Sequence, residues 1–365
     1  MYCQEFTVKS VNKSRYHWIT GAFVFRQTIN RKVDLSRFTD TTRHLTNSGI
    51  PTQGIAFYHQ STLDLLQGLS CSVGLRYDYE HARCAFSKVQ QPLNGNGETK
   101  SLEQFNRSLH FGQFTPRFSM QYLSSHNQLF YASVSKGYKA GGFNVSFLNN
   151  DDYLYSPEYN WNYEIGTKLS FLNNRLSADL SLFYIDWRNQ QITNTIPTVG
   201  NVNRKAGRSR NKGIEASFQA RPTKSWMMYM NYGYTDARFV HYQKEERGIL
   251  KDYEGNYLPM VPRHTFSLTT GYSFYDICSW IDRLTLNAGV SVTGPIYWYE
   301  DNQAKQSPYA LVNLRISINK GCFTWEAWSK NLTNTDYLSY YFVTSKAYAQ
   351  KGKPITLGTS VSISL

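Results

Sequence analysis

The sequence predicts an all-β protein, an antiparallel transmembrane β-barrel, and three observations carry that reading. The first is alternation in stretch after stretch. Over 69–80, Leu69, Cys71, Val73, Leu75, Tyr77 and Tyr79 oppose Ser70, Ser72, Gly74, Arg76, Asp78 and Glu80. One face is greasy and the other small, polar or charged, which suits a wall between lipid and a wet lumen, with the paired tyrosines as an aromatic girdle. The second is composition. With 28 Tyr and 21 Phe, aromatics make up 16% of the chain, which favours strands, yet mean hydropathy is only −0.50. No apolar run approaches the roughly 18 residues of a membrane-spanning helix; barrel strands leave no hydropathy peak because they are apolar only at every second position. The third is a rhythm of long connection, strand, short turn, strand. Placing the carboxyl terminus in the periplasm puts every short turn on that side, as in bacterial barrels.

In chain order, a strand over 5–10 and the turn Asn12-Lys13-Ser14-Arg15 lead to a strand over 16–28, with Trp18, Thr20, Ala22 and Val24 on one side. The polar stretch 29–51 reads as a long connection. Strands over 52–61 and 69–80 meet at 63–68, and 83–110 again reads as a long loop, punctuated by Asn94-Gly95-Asn96-Gly97. A strand over 112–122 turns at Ser124-Ser125-His126-Asn127 into the stretch that organises the chain. There Phe130, Ala132, Val134 and Tyr138 face the apolar side and Tyr131, Ser133, Ser135 and Gly137 the polar side, until Lys139 and the glycines break the pattern. Strands over 161–171 and 175–187 follow about the turn Leu172-Asn173-Asn174, then a basic strand over 204–220 and strands over 225–239, 262–275, 283–293, 309–319 and 322–331. The last strand sets Ile355, Leu357, Thr359, Val361, Ile363 and Leu365 against Thr356, Gly358, Ser360, Ser362 and Ser364. The count is about 15, whereas a closed single-chain bacterial barrel has an even number.

The formal net charge of +13 admits nucleic acid, an anionic ligand or a lipopolysaccharide leaflet as partner. It is spread over loops and strand ends rather than gathered on one helix-like face, which argues against nucleic acid. Cys3, Cys71, Cys84, Cys278 and Cys322 have neither CxxC pairing nor metal-ligand spacing, so no zinc or redox site is expected. Cys71 reads as a small hydrophobe. P-loop, GxSxG, HExxH and dinucleotide patterns are absent, which excludes the common enzyme classes, and no cofactor is expected. Met1-Tyr2-Cys3-Gln4-Glu5 runs straight into strand-like sequence without a signal peptide. Either the protein is not exported or its beginning is missing.

Ser135, Gly137, Lys139 and Phe143 are spaced as in the most recognisable motif of the TonB-dependent receptors, which this stretch resembles. Gly74-Leu75-Arg76-Tyr77, Phe114-Thr115-Pro116-Arg117, Tyr163-Glu164-Ile165-Gly166-Thr167-Lys168, Gly213-Ile214-Glu215, Val261-Pro262-Arg263-His264-Thr265 and Asn331-Leu332 resemble further family stretches, in the family's order. The likeness covers nearly the whole chain and is closest in style to siderophore and other iron-complex receptors. It implies part of a barrel of about 22 strands, in the outer membrane of a Gram-negative cell. In the family a plug fills the barrel and carries the segment that binds TonB. The expectation for residues 1–365 is therefore a plug-less, C-terminal barrel fragment of a receptor that transports a ferric siderophore or similar iron complex. Its partners would be outer-membrane lipid, lipopolysaccharide and the ferric chelate, with the TonB complex reached only through the missing plug. The alternatives are a passive porin-like or structural outer-membrane barrel, or an inactive gene fragment. The family more often ends in an aromatic than in a residue such as Leu365.

Each candidate site residue has a plainer reading beside the functional one. Ser135, Gly137 and Lys139 are expected to serve the barrel more than the ligand, with Lys139 in lumen ion pairs. The basic cluster Arg204, Lys205, Arg208, Arg210 and Lys212, in which Arg204, Arg208, Arg210 and Lys212 share one face by parity, fits an anionic iron chelate, but a charged lumen wall or contacts to lipopolysaccharide phosphates is the preferred reading. Tyr153, Tyr155, Tyr297, Trp298, Tyr340 and Tyr341 would stack on a catecholate or porphyrin, or else belong to the girdle. Asp151-Asp152 is a calcium candidate or a solvated pair. His81, His110 and His264 lack ligand spacing.

Overall fold

The computed structural model describes residues 1–11, 14–36, 41–94, 97–147, 150–196, 200–205, 207–246, 249–343 and 346–364. Turn residues Asn12 and Lys13, loop residues Gly95 and Asn96, and the terminal Leu365 lie outside them. Fifteen strands form one antiparallel sheet in chain order: Tyr2–Lys9, Tyr16–Leu35, Thr42–Leu66, Leu69–Pro92, Lys100–Leu123, Leu129–Lys139, Glu158–Phe171, Leu176–Arg188, Arg208–Ala220, Trp226–His241, His264–Cys278, Ile281–Thr293, Tyr309–Lys320, Phe323–Lys330 and Thr356–Ile363. Every strand neighbours the next in sequence, so short and long connections alternate along the chain. The short turns use left-handed backbone where they need it: Gly68 (φ 79°), Asn127 (57°) and Gly321 (51°). Leu172, Asn173 and Asn174 take the same conformation in succession. Long connections carry small hairpins, Gln191–Ile196 with Gly200–Lys205, Gln243–Glu246 with Ile249–Asp252, and Leu338–Val343 with Ala347–Lys351. No helix among the described residues is long and apolar enough to cross a membrane.

Three sequence expectations are corrected here. The stretches 29–51 and 83–110 are mostly strand, since Tyr16–Leu35 pairs with Thr42–Leu66 as far as Leu35↔His44, and Thr42 pairs with Pro92. Past Ile29, exposed Asn30, Lys32 and Asp34 stand on one face and exposed Arg31 and Leu35 on the other, so the alternation that marks a strand fades while its backbone ladder continues. The expected basic strand 204–220 is two elements, because Gly200–Lys205 pairs with Gln191–Ile196 in a loop hairpin and a new strand starts at Arg208. The Tyr138 hydroxyl, placed by parity on the greasy face, is buried.

The chain divides into two units, residues 1–120, 134–161 and 188–206, and residues 121–133, 162–187 and 207–365. In the first, Val73, Leu75 and Tyr79 are exposed, and the register sets Tyr79 beside Ile55 and Val24, both exposed as well. Large apolar side chains standing outward in rows are the inverse of a water-soluble sheet. The opposite face is a polar network. Arg76 donates to Asp78 at 2.7–2.9 Å, the Tyr58 hydroxyl donates to Glu5 at 2.8 Å, and Thr7 lies 2.8 Å from the same hydroxyl. A Cβ at Gly21 would lie 2.4 Å from the Tyr58 oxygen, so only glycine lets that phenol lie across its neighbour.

The second unit repeats the division. Cross-strand pairing aligns Tyr272, Leu286, Ile316, Ala327 and Thr359 on the apolar face. On the polar face Glu326 accepts from Ser317 at 2.8 Å and Glu164 from Tyr131 at 2.6 Å. Gly166 leaves room for that tyrosine, whose ring would be 2.6 Å from a Cβ there.

Candidate functional site

The hairpin ends in the first unit rise into an open cleft of about 780 Å³, lined among others by Arg31, Lys32, Asn47, Ser48, Phe86 and Phe105. Register places Arg31 opposite Ser48 and Ser48 opposite Phe86. Parity along Leu69–Pro92 puts Phe86 on the polar-network face of Arg76 and Asp78. Beneath the cleft, Ala82, Cys84, Phe86 and Phe143 are buried together with Ile50, Phe105, Leu109 and Phe147 around them. Phe86 stacks on Phe105 (4.8 Å between centroids, 10° apart), and Phe105 stacks on Tyr153 at 4.8 Å. The Arg107 guanidinium sits 5.1 Å from the Tyr153 ring.

The motif stretch closes this cluster from above. Gly142–Phe143 pairs with Leu154–Tyr155, and a Cβ at Gly141 would fall 2.3 Å from the Tyr155 carbonyl oxygen. Gly141 therefore admits the backbone and Gly142 the side chain of Tyr155. Asn144, buried, donates from Nδ2 to the carbonyls of Asp152 (2.7 Å) and Asn203 (2.8 Å), while its Oδ1 accepts from the Asn203 N–H (2.9 Å). One amide thus ties two long connections to the end of the motif strand. Burial pushes the Tyr155 phenol above its ordinary value, against a hydrogen bond with Asn203. Lys139 lies 3.6 Å from the buried Glu158 carboxylate, which also accepts the Gln191 N–H. At Gly137 a Cβ would press on Asn160. Ser135 is half-buried in the same strand.

Much of the basic cluster is neutralised rather than poised for an anion. Arg204 grips Asp152 through two bonds of 2.7–2.8 Å, Arg208 meets Asp186 at 2.5 Å, and Lys212 shares Asp236 with Arg238. Arg204 belongs to the loop hairpin and Arg208, Arg210 and Lys212 to a sheet strand, so the expected common face of all four does not form. The Arg210 side chain is exposed. The side chains of Lys205 and Asp151 lie outside the described residues, and Asp152 is an ion-pair partner rather than a solvated acid.

The loop aromatics also differ from a girdle. Tyr153 and Trp298 are buried, Trp298 beside Tyr340 (6.4 Å) and Tyr341 (6.5 Å), and Tyr297 stacks on Tyr257 at 5.4 Å with the rings 6° from parallel. They build small cores inside the loop hairpins. The Tyr299 hydroxyl accepts the Val343 N–H at 2.6 Å, and burial pushes that phenol up. Parity could not find the cations that do stand open in the cleft: Arg31 and Lys32 are exposed and, among the described residues, have no carboxylate partner. Their signal was present only as Asn30-Arg31-Lys32, inside a stretch expected to be loop.

This sheet, with its apolar outer rows and ordered hairpin ends, is that of a bacterial receptor barrel. The family model described as "TonB dependent receptor-like, beta-barrel" matches residues 6–334, and the chain belongs to that family. The pesticin receptor of Yersinia pestis is 24% identical over 357 residues, which cover 93% of this chain and 48% of that protein. A probable TonB-dependent siderophore receptor, PiuA, of Acinetobacter baumannii is 26% identical over 61% of this chain and 30% of its own length. The chain spans about half the length of the pesticin receptors it matches. Among solved structures, the ferric yersiniabactin uptake receptor FyuA of Yersinia pestis superposes with a TM-score of 0.82 at 19% identity, over 99% of this chain and 53% of that one. The ferric-catecholate import receptor Fiu of E. coli K12 does so with a TM-score of 0.65 at 15% identity, over 98% of this chain and 59% of its own.

Proposed function

We propose that these residues form the outer-membrane barrel wall of a receptor importing a ferric siderophore or similar iron complex, and that the cleft at Arg31 and Lys32 is its outer contact for the anionic chelate. The observation that carries the reading is the cleft's chemistry: Arg31, without a carboxylate partner among the described residues, shares the face of Phe86 stacked on Phe105, and Lys32 lines the cleft from the strand's other face with the amides of Asn47 and Asn106. Cations answer the negative charge of a chelate, aromatic faces answer its flat donor rings, and amides answer its carbonyls. Energised import would draw on TonB through the plug that the family carries, so the wall supplies capture and passage rather than the pull. Binding of radiolabelled ferric chelates to cells displaying the receptor tests this. With Arg31→Ala and Lys32→Ala together, affinity for an anionic chelate should fall about 10-fold or more, the scale of losing one to two charge-assisted hydrogen bonds. An unchanged affinity, or no binding of any chelate in the panel, refutes it.

A further inference from the structure

The outward rows of the first unit carry a polar group at their middle. Across that face the register aligns Thr20, His59 and Leu75. Thr20 lies four residues from Val24, which stands level with Ile55 and Tyr79, and four residues from Tyr16 in the other direction. At roughly 3.3 Å per residue and a tilt of about 45°, each of these spans is about 9 Å of height, so His59 sits near the centre of an apolar band about 25 Å tall. Its side chain is exposed there. The Nε2 atom lies 3.0 Å from the Ser61 hydroxyl, which in turn lies 2.9 Å from the Tyr16 hydroxyl, and the ring stacks on Trp18 with centroids 6.4 Å apart. Either tautomer leaves Nδ1 without a partner among the described residues. The Thr20 hydroxyl donates to the Tyr58 carbonyl at 3.0 Å, which leaves its oxygen free to accept.

An imidazole with a bare nitrogen at the centre of a hydrocarbon layer is costly unless a partner inside the layer meets it. Lipid tails offer no polar atom, and the ester and head groups lie at the borders of the layer. We propose that this face is the interface of a homodimer within the membrane, in which His59 Nδ1–H donates to the Thr20 hydroxyl of a second copy. The placement of donor and acceptor selects that occupant. Thr20 and His59 are cross-strand neighbours, so a two-fold axis along the membrane normal, passing between them, sets each His59 opposite the partner's Thr20 and makes both bonds at once. Donation from Tyr16 to Ser61, and from Ser61 to Nε2, fixes the tautomer that carries its proton on Nδ1. Exposed Val8, Phe57, Val73 and Leu75 surround the pair and give the contact its apolar surface. The proposal rests on the lipid-facing reading of this face and not on the chelate cleft, which lies beyond it at the hairpin ends.

The test places a photo-activated benzophenone side chain in place of Phe57 in the receptor, in intact outer membranes, and weighs the cross-linked products. A species of twice the receptor's mass is expected, and none when the same group replaces Leu286 on the apolar face of the second unit. Sedimentation equilibrium in detergent micelles then compares variants. His59→Leu removes both symmetric bonds and should weaken the dimer about 10-fold, the scale of two side-chain hydrogen bonds inside a membrane. Thr20→Val should do the same, and the double variant should be no weaker than either, because all three lose the same two bonds. Leucine suits lipid better than imidazole, so the His59→Leu monomer should resist urea at least as well as the parent, which separates a lost contact from a lost fold. Chelate binding at the cleft should be unchanged in each variant. A cross-linked product of another mass, equal yields from the two positions, no product from position 57, or an unaffected dimer in His59→Leu would overturn the interface. A receptor that does not reach the outer membrane would overturn the lipid-facing reading, and the interface with it.

Discussion

Leu75 and Arg76 are adjacent in sequence and face opposite ways, so a pair of substitutions reads out the sheet's orientation. Leu75 stands four residues before Tyr79, about 13 Å along the strand at roughly 3.3 Å per residue. With a tilt of about 45°, that is roughly 9 Å inside the girdle of an apolar band about 25 Å tall, close to the midplane. An arginine placed there by Leu75→Arg should cost about 2–4 kcal/mol of stability in a bilayer. Arg76→Leu removes a partly exposed pair with Asp78, whose side chains are 36% and 29% accessible, beneath the Phe23 and Tyr58 rings at 5.9 Å. Screened pairs of this kind are worth about 1 kcal/mol or less, and Asp78 remains within reach of water. The two variants should therefore differ by about 2 kcal/mol, on these magnitudes. Urea titration of folding into lipid bilayers measures it. Equal costs, or a larger one at Arg76, would refute the assignment of faces.

Four further outcomes follow from the loops and turns. Gly141→Val should loosen the 142–155 connection, since its Cβ would meet a backbone carbonyl that cannot swing aside; faster proteolysis there, at a cost of about 1–3 kcal/mol, is the readout. Asn144→Ala should strand the Asp152 and Asn203 carbonyls and raise hydrogen exchange around 150–155 and 200–204, at about 1–3 kcal/mol for each group left unsatisfied. The Asp252 carboxylate accepts from the Glu254 N–H and Gln243 and is held below its ordinary value. Its depressed value means its contribution is present above the unfolded carboxylate range and lost as pH falls through the folded value, so the hairpin of Gln243–Glu246 and Ile249–Asp252 should fray on acidification, and a flat NMR titration of Asp252 across the acid range would contradict this. A tag at Asn173 should stay inaccessible on intact cells while one at Lys251 is labelled; the reverse inverts the topology.

At Leu75 and Arg76 the alternating pattern by itself determined the face each residue takes, because the two-residue period is a property of the extended backbone and needs no partner. The turn at Lys320-Gly321 and the register-bearing stretch 69–80 were legible for the same local reason. Strand length was not. Beyond Ile29 the alternation fades and beyond His81 it reverses, with Ala82, Cys84 and Phe86 buried and Arg83 exposed, so only the ladder, Leu35 to His44 and Thr42 to Pro92, extends the hairpins. Tertiary structure alone decided the fate of the charges. Arg204 finds Asp152 from 52 residues away, and Arg208 finds Asp186, so a cluster that looks like an anion site in sequence becomes a set of ion pairs. Arg31 and Lys32, unremarkable in sequence, are left open because Ser48 and Asn47 stand opposite them and the nearby Asp34 is taken by Arg43. Pairing of this kind depends on which loops the fold brings together, a long-range outcome that local composition does not encode.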